Sequence, residues 1–219
     1  MNKPEARALQ IIEMLSKQYP EAKTALHFSN PLEMLVSTIL SAQCTDKRVN
    51  IVTERLFKRY RTAKDYAKAN VRTFEQEIRS TGFFRNKARN ITNMAKMLVS
   101  EFNGKVPDTM AQLVKLPGVA RKTANVVLNN AFHISEGIAV DTHVRRLSRR
   151  LGLSGSGDPV KIEQDLMNIL PRKYWEKISY YLVDHGRTIC KAPRPLCPEC
   201  VIAELCPSRG SFMRKYYSK

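Results

Sequence analysis

Lys122 is the side chain in this sequence with the clearest capacity for chemistry. It follows Pro117-Gly118 in the segment LPGVARKTANVV, which spans positions 116–127. A Pro-Gly turn that leads straight into an apolar helix directs that helix's N–H groups and positive dipole at one point, where a phosphate can bind. Gly118 permits the positive φ that such a turn requires. An amine on the first turn of the helix therefore indicates an enzyme that acts on nucleic acid.

An amine attacks a sugar carbon only in its neutral form, whereas an unperturbed lysine has a pKa of about 10.4. A helix N-terminus and partial desolvation both favour the neutral form of Lys122. Asp141, in the segment VDTH at 140–143, is a candidate for proton transfer and for stabilising positive charge on the sugar. The simpler alternatives are a solvated lysine after an ordinary connector and an N-cap aspartate. The cap is compatible with catalysis.

Four cysteines near the C-terminus form a C-x6-C-x2-C-x5-C pattern. Four thiolates suit either zinc or a [4Fe–4S] cluster, and the spacing alone leaves both open. Disulfides are the third interpretation, but the first ten residues contain no apolar signal segment. Lys191 and Arg194 lie between the first two cysteines, where a rigid loop would present them to DNA phosphates. The four candidate ligands are Cys190, Cys197, Cys200 and Cys206.

The composition agrees with a nucleic-acid partner. The 219 residues are 43% hydrophobic, enough to build a core, and the net charge of +17 favours polyanions. A membrane surface would attract the same charge, but the apolar stretches are short and interrupted, so no transmembrane span is expected.

Helical spacing of apolar residues recurs along the chain, and strand signals are weak throughout, so we expect an all-α fold of about ten helices. The second helix is apolar on nearly every side, which indicates a central, buried position. We expect one domain over 22–134 and a discontinuous second domain over 1–21 and 135–210, with the crossing within 133–139. A frayed basic tail is expected over 211–219. The expected helices with both ends assigned span about 4–17, 31–43, 71–81, 85–102, 109–116, 120–132, 141–151, 159–170 and 172–187; another begins at Asp46.

Together these motifs resemble the endonuclease III family of DNA glycosylases, in the helix-hairpin-helix superfamily, over nearly the whole chain. The resemblance rests on the hairpin with Lys122, on the VDTH segment, on LSAQCTD at 40–46 and on the four-cysteine spacing. In that family the cysteines hold a [4Fe–4S] cluster. The family fold comprises a six-helix barrel that carries the hairpin and an iron–sulfur cluster domain, which flank a DNA-binding cleft.

The resemblance implies that Lys122 is a Schiff-base nucleophile, that Asp141 is the essential carboxylate and that Gln43 fills the gap left by a flipped base. A lysine at this position implies a bifunctional enzyme, both glycosylase and AP lyase. Its substrates would be oxidised or ring-saturated pyrimidines in damaged double-stranded DNA. We also expect a monomer, and a cytoplasmic, nucleoid-associated protein of prokaryotic type.

Two positions depart from the family pattern. Ala120 replaces the hairpin's second glycine, which places a methyl group near the phosphate. Phe83 replaces a smaller aliphatic wedge; an aromatic ring can also insert between bases, although a plain core or surface aromatic is the alternative. His143, beside the carboxylate, is a further candidate to line the cleft.

Two other functions remain open from the sequence. One is a monofunctional glycosylase with another base preference, although relatives of that kind usually carry an additional C-terminal domain. The other is a non-catalytic iron–sulfur DNA-binding module, in which Lys122 and Asp141 would be replaceable and the cysteines would not.

Overall fold

The computed structural model describes residues 3–218 and, within them, contains twelve α-helices and no β-strand. The all-α prediction is therefore confirmed. The chain forms two compact units: a central unit, Thr24–Glu136, and a terminal unit, Met1–Lys23 with Gly137–Lys219. The helices are α1 (Lys3–Gln18), α2 (Pro31–Leu40), α3 (Asp46–Arg59), α4 (Ala63–Ala67), α5 (Val71–Glu77), α6 (Phe84–Glu101), α7 (Met110–Leu113), α8 (Arg121–Val127), α9 (Thr142–Arg150), α10 (Pro159–Ile169), α11 (Trp175–Thr188) and α12 (Arg209–Tyr216).

Helix α2 forms the centre of the central unit's core. Its N-cap, Asn30, accepts a hydrogen bond from the Glu33 N–H, and Pro31 occupies the first helical position. All seven residues from 34 to 40 are buried, so the predicted central helix is confirmed. Its apolar surface on every side leaves no solvated face, and the other helices of the unit pack around it.

Helix α1 supplies one wall of the terminal unit's core. Ala8, Ile11, Ile12 and Leu15 lie on one face at helical spacing and are at most 1% exposed. They pack with apolar residues from α9, α10 and α11. Because these segments are far apart in sequence, the first helix is stable here through tertiary packing with the C-terminal half of the chain.

Several element boundaries differ from those that the sequence predicts. Helix α2 ends at Leu40, because residues 41–44 turn back through a Cys44 N–H to Ser41 carbonyl bond. Helix α4 was not predicted. Helix α8 ends at Val127 and continues as a π-helical turn over Leu128–Phe132.

The expectation of a frayed tail over 211–219 is wrong for most of that range. Residues Arg209–Tyr216 form α12, and the rings of Phe212 and Tyr216 stack with centroids 6.2 Å apart. The Arg150 guanidinium lies 4.6 Å from the Phe212 ring centroid, and that of Arg194 lies 5.9 Å from the Tyr216 ring. These cation–π contacts order a segment that has little apolar surface of its own.

Gly186 of α11 permits the close approach of α9, which generates a first prediction. A Cβ atom there would lie 2.8 Å from His143 Nδ1, 2.9 Å from Arg146 Nη2 and 3.3 Å from Leu147 Cδ1. We expect Gly186→Ala to destabilise the protein by about 1–3 kcal/mol through overpacking. Thermal and urea denaturation followed by circular dichroism measure the loss. Gly210→Ala is the helical control, since its Cβ would meet only Arg214 at 3.6 Å; equal effects would contradict the packing argument.

Candidate active site and cysteine pocket

The hairpin between α7 and α8 is built around Gly118, which adopts φ +80° as expected. The Val119 N–H donates to the Leu116 carbonyl across the turn at 3.1 Å. A Cβ on Gly118 would lie 2.9 Å from Asn90 Cβ. Glycine is therefore required here for two reasons: it can adopt this backbone conformation, and it leaves room for the close approach of α6.

Ala120 is the N-cap of α8, with φ −89° and ψ 168°, an extended conformation that any residue adopts. Alanine at this position therefore carries no backbone strain. Its side chain cannot accept a hydrogen bond, so α8 begins without a side-chain cap. The predicted contact of this methyl group with a phosphate stays a prediction.

Lys122 and Asp141 both occupy helix N-termini, one in each unit. Lys122 lies on the first turn of α8 and is exposed. Asp141 is half-buried and caps α9, its Oδ1 accepting from the Val144 N–H at 2.8 Å. The expected cap is confirmed, and it fixes the carboxylate on a rigid element.

Gln43 and Phe83 share an unusual backbone conformation in the central unit. Both adopt left-handed φ values, 52° and 46°, and both are exposed. Phe83 is 66% exposed, so the alternative of a core aromatic is wrong. Non-glycine residues in this region cost about 1–3 kcal/mol each and cluster at functional sites.

His143 packs against α11 with its Nδ1 3.3 Å from Arg146 Nη2. Burial lowers the pKa of His143; Asp141 opposes that shift, and Arg146 and Arg187 add to it. The neutral imidazole is therefore favoured. The position of His143 as a residue that lines a DNA cleft stays a prediction.

The four C-terminal cysteines line one pocket with a cavity of about 20 Å³, which confirms none of the three sequence alternatives by itself. No disulfide joins them. Among residues 3–218, no group of three or more His, Cys, Asp or Glu side chains could hold a metal ion as arranged.

Burial opposes the deprotonation of three of these thiols. It raises the pKa of Cys197 and Cys206, and raises that of Cys200 to about 11. Positive or hydrogen-bonding partners nevertheless face the pocket. Arg150 Nη1 lies 3.3 Å from Cys190 Sγ, and His185 Nε2 lies 3.4 Å from Cys200 Sγ.

Sequence reasoning missed Arg150, His185 and Phe212, all of which line the pocket. The sequence carries a partial signal, because α9 has arginines at four-residue spacing, a pattern that indicates one basic face: Arg145, Arg146, Arg149 and Arg150. In the structure they divide. Arg146 and Arg150 donate to carbonyls of the α11 end and the cysteine loop, whereas Arg145 and Arg149 are exposed.

The two cations between the first cysteines also differ. Lys191 is exposed, and its carbonyl accepts from Arg150 at 3.0 Å. Arg194 is also exposed, but its Nη2 donates to the Tyr216 carbonyl at 3.2 Å, so α12 holds its direction. Contacts of either residue with DNA stay predictions.

Comparison with known proteins places this fold and hairpin. Residues 36–172 match the model of the HhH-GPD superfamily of base excision DNA repair proteins. An endonuclease III from Synechocystis sp. is 54% identical over 202 residues, which is 92% of each chain. A solved non-covalent endonuclease III–DNA complex has 43% identity and a TM-score of 0.91, covering 98% of this chain and 100% of that one. A trapped endonuclease III–DNA covalent intermediate matches with the same values.

The all-helical fold and the hairpin therefore define a helix-hairpin-helix protein of base excision DNA repair. Within that superfamily, the chain belongs to the endonuclease III family. It is a base excision repair DNA glycosylase and AP lyase, so the alternative of a non-catalytic DNA-binding module is wrong. The family is known for a [4Fe–4S] cluster. None of the helices between residues 3 and 218 is long and apolar enough to cross a membrane.

Two glycines of positive φ allow the role of the hairpin turn to be measured. Gly118→Ala and Gly104→Ala both place an alanine in the left-handed region, at φ +80° and +76°. Each substitution should lower the free energy of unfolding by about 1–2 kcal/mol. Only Gly118→Ala also drives a methyl group into Asn90, which adds about 1–3 kcal/mol. The midpoint of urea denaturation should therefore be lower for Gly118→Ala than for Gly104→Ala. Equal midpoints would show that α6 moves away from the added methyl group without a loss of stability.

Proposed function

We propose that this protein removes oxidised or ring-saturated pyrimidines from duplex DNA and then cleaves the strand, with Lys122 as the nucleophile. The observation that carries this proposal is the position of Lys122. It is an exposed amine on the first turn of α8, directly after the Gly118 hairpin. That position lies in a chain that is 54% identical to an endonuclease III over 92% of its length.

The chemistry follows from a neutral amine. Lys122 Nζ forms a bond to C1′ as the glycosidic C–N bond breaks, and the electron pair leaves with the base, which takes up a proton. The sugar ring then opens: the C1′–O4′ electron pair moves to O4′, which takes up the proton that Nζ loses, and an iminium remains between Nζ and C1′. Loss of a proton from C2′ then expels the 3′ phosphate by β-elimination. Water finally hydrolyses the imine and restores the amine.

Asp141 would act electrostatically and in proton transfer. Its Oδ1 is committed to the α9 cap, which restricts the carboxylate to one orientation. A carboxylate held in this way stabilises positive charge that develops on the sugar without having to reorganise. Capping and catalysis therefore use the same rigid placement.

We infer that the cysteine pocket holds the [4Fe–4S] cluster for which the endonuclease III family is known. Cys190, Cys197, Cys200 and Cys206 line one pocket, so four thiol donors are available at one place. Burial disfavours free thiolates there, whereas a bound metal centre deprotonates its thiols. When bound, the cluster would supply four metal–thiolate bonds that fix the loop between the first two cysteines.

The fixed loop would present Lys191, and Arg194 through its bond to α12, to DNA phosphates. We further infer that one copy of the chain acts on one damaged duplex. The net charge of +17 supports association with chromosomal DNA through release of its counterions.

Covalent trapping tests the role of Lys122. With a duplex that contains one dihydrouracil, borohydride should reduce the iminium and leave a stable protein–DNA adduct. Lys122→Gln should abolish the adduct. Lys58→Gln is the control, because Lys58 is an exposed lysine of the same unit that pairs with Glu54 at 3.7 Å. A wild-type protein that cleaves the strand but never traps would overturn the assignment of Lys122 as the nucleophile.

Metal analysis and visible absorbance test the cysteine pocket. We expect about four iron atoms per chain and broad visible absorbance. Phe212→Ala removes a ring that lines the pocket, so ferricyanide should bleach this absorbance faster than in wild type. Val201→Ala changes an exposed residue between Cys200 and Cys206, and this variant should bleach at the wild-type rate. A colourless protein with stoichiometric zinc would contradict the cluster.

A further inference from the structure

Lys87 is a buried lysine that the proposed chemistry does not use. It lies on the first turn of α6 in the central unit and is 4% exposed. Its Nζ donates to the Leu40 carbonyl and to the Thr81 carbonyl, each at 2.7 Å. Burial lowers the pKa of Lys87, and the neighbouring Cys44 opposes that shift. The protein thus keeps an amine where water is excluded, at a cost in desolvation.

The two carbonyls that Lys87 binds have related places in the chain. Leu40 ends α2, three residues before Gln43. Thr81 ends a short 3-10 turn, two residues before Phe83. One amine therefore links the backbone at the start of both turns. Each turn ends at an exposed residue with a left-handed backbone conformation.

The bond from the Cys44 N–H to the Ser41 carbonyl closes the Gln43 turn locally, but it does not fix that turn relative to the Phe83 turn. The Phe83 ring is 66% exposed, so packing does not direct it, and no side chain caps α6 at that position. Strained conformations persist only where the surroundings determine them. The two hydrogen bonds from Lys87 constrain the backbone of both turns at once.

We propose that Lys87 is a positioning residue that holds the Gln43 and Phe83 turns in fixed relation, so that both side chains enter a damaged duplex as a pair. The proposal rests on the function proposed above and on the expectation, from the family resemblance, that Gln43 and Phe83 contact the damaged duplex. Lys87 itself touches no substrate. Its loss should impair the step that extrudes the damaged nucleotide and spare chemistry on a nucleotide that is already accessible.

The test compares two substrates for each variant. Lys87→Met keeps the aliphatic stem and removes both bonds. Lys96→Met is the control, because Lys96 is exposed on the same helix. One substrate is a duplex with a single dihydrouracil, which requires extrusion. The other is a single-stranded oligonucleotide with an abasic site, on which borohydride trapping reports lysine chemistry without extrusion.

We expect Lys87→Met to lower the single-turnover rate of base removal on the duplex by about 10- to 100-fold, the scale of a misplacement of about 1 Å. Trapping on the single strand should change by less than about twofold, whereas general loss of structure would lower both. In a Gln43→Ala/Phe83→Ala background, Lys87→Met should have little further effect, because the residues act as a unit. Equal losses on both substrates, or full additivity in that background, would overturn the proposal.

Folding and the parent proposal have separate readouts. If circular dichroism shows Lys87→Met unfolded, Lys87→Gln replaces it with the same two substrates, since its amide keeps a donor in the buried site. If neither variant folds, Lys87 serves the fold as a whole and the positioning role is overturned. Absence of trapping by wild type on both substrates would instead refute the Lys122 mechanism.

Discussion

Helix ends are the constraint on which this structure depends. Each short α-helix leaves carbonyl groups at its C-terminus without partners inside the helix, and a buried carbonyl without a partner is costly. Internal cations meet much of this need. Lys87 does so in the central unit, and Arg7, Arg146 and Arg150 do so in the terminal unit, each donating to carbonyls at a chain reversal. Some of the cations that make up the net charge of +17 therefore bind backbone carbonyls within the fold.

These cations hold backbone segments whose neighbouring side chains remain exposed. Lys87 fixes carbonyls beside the Gln43 and Phe83 turns, and Arg150 fixes carbonyls of the loop that carries Lys191. The side chains proposed to meet DNA thus extend from a determined backbone and need no packing of their own. Such a division suits a protein whose partner is a polyanion, because exposed cations and exposed rings are then available for phosphates and bases.

Sequence patterns predicted the features that depend on local rules. The buried stripe of α1, the all-round burial of α2 and the Asp141 cap all follow from periodicity or from cap chemistry within one turn. The direction of a long cationic side chain does not follow from such rules. Lys87 and Arg150 point inward because they donate hydrogen bonds to carbonyls that are distant in sequence. Helix α12 is ordered by arginines that precede it by many residues. At the level of sequence these cations are indistinguishable from solvated ones.

The hairpin separates two roles that a Gly-x-Gly pattern merges. Only position 118 has positive φ and a close neighbour, so only there does the backbone require glycine. Position 120 is extended, and its alanine fits the free protein without strain. Any steric cost of the added methyl group against a phosphate therefore arises in a bound complex. At position 118, by contrast, DNA affinity and stability are coupled, because the turn that shapes the anion site is also a point of close packing.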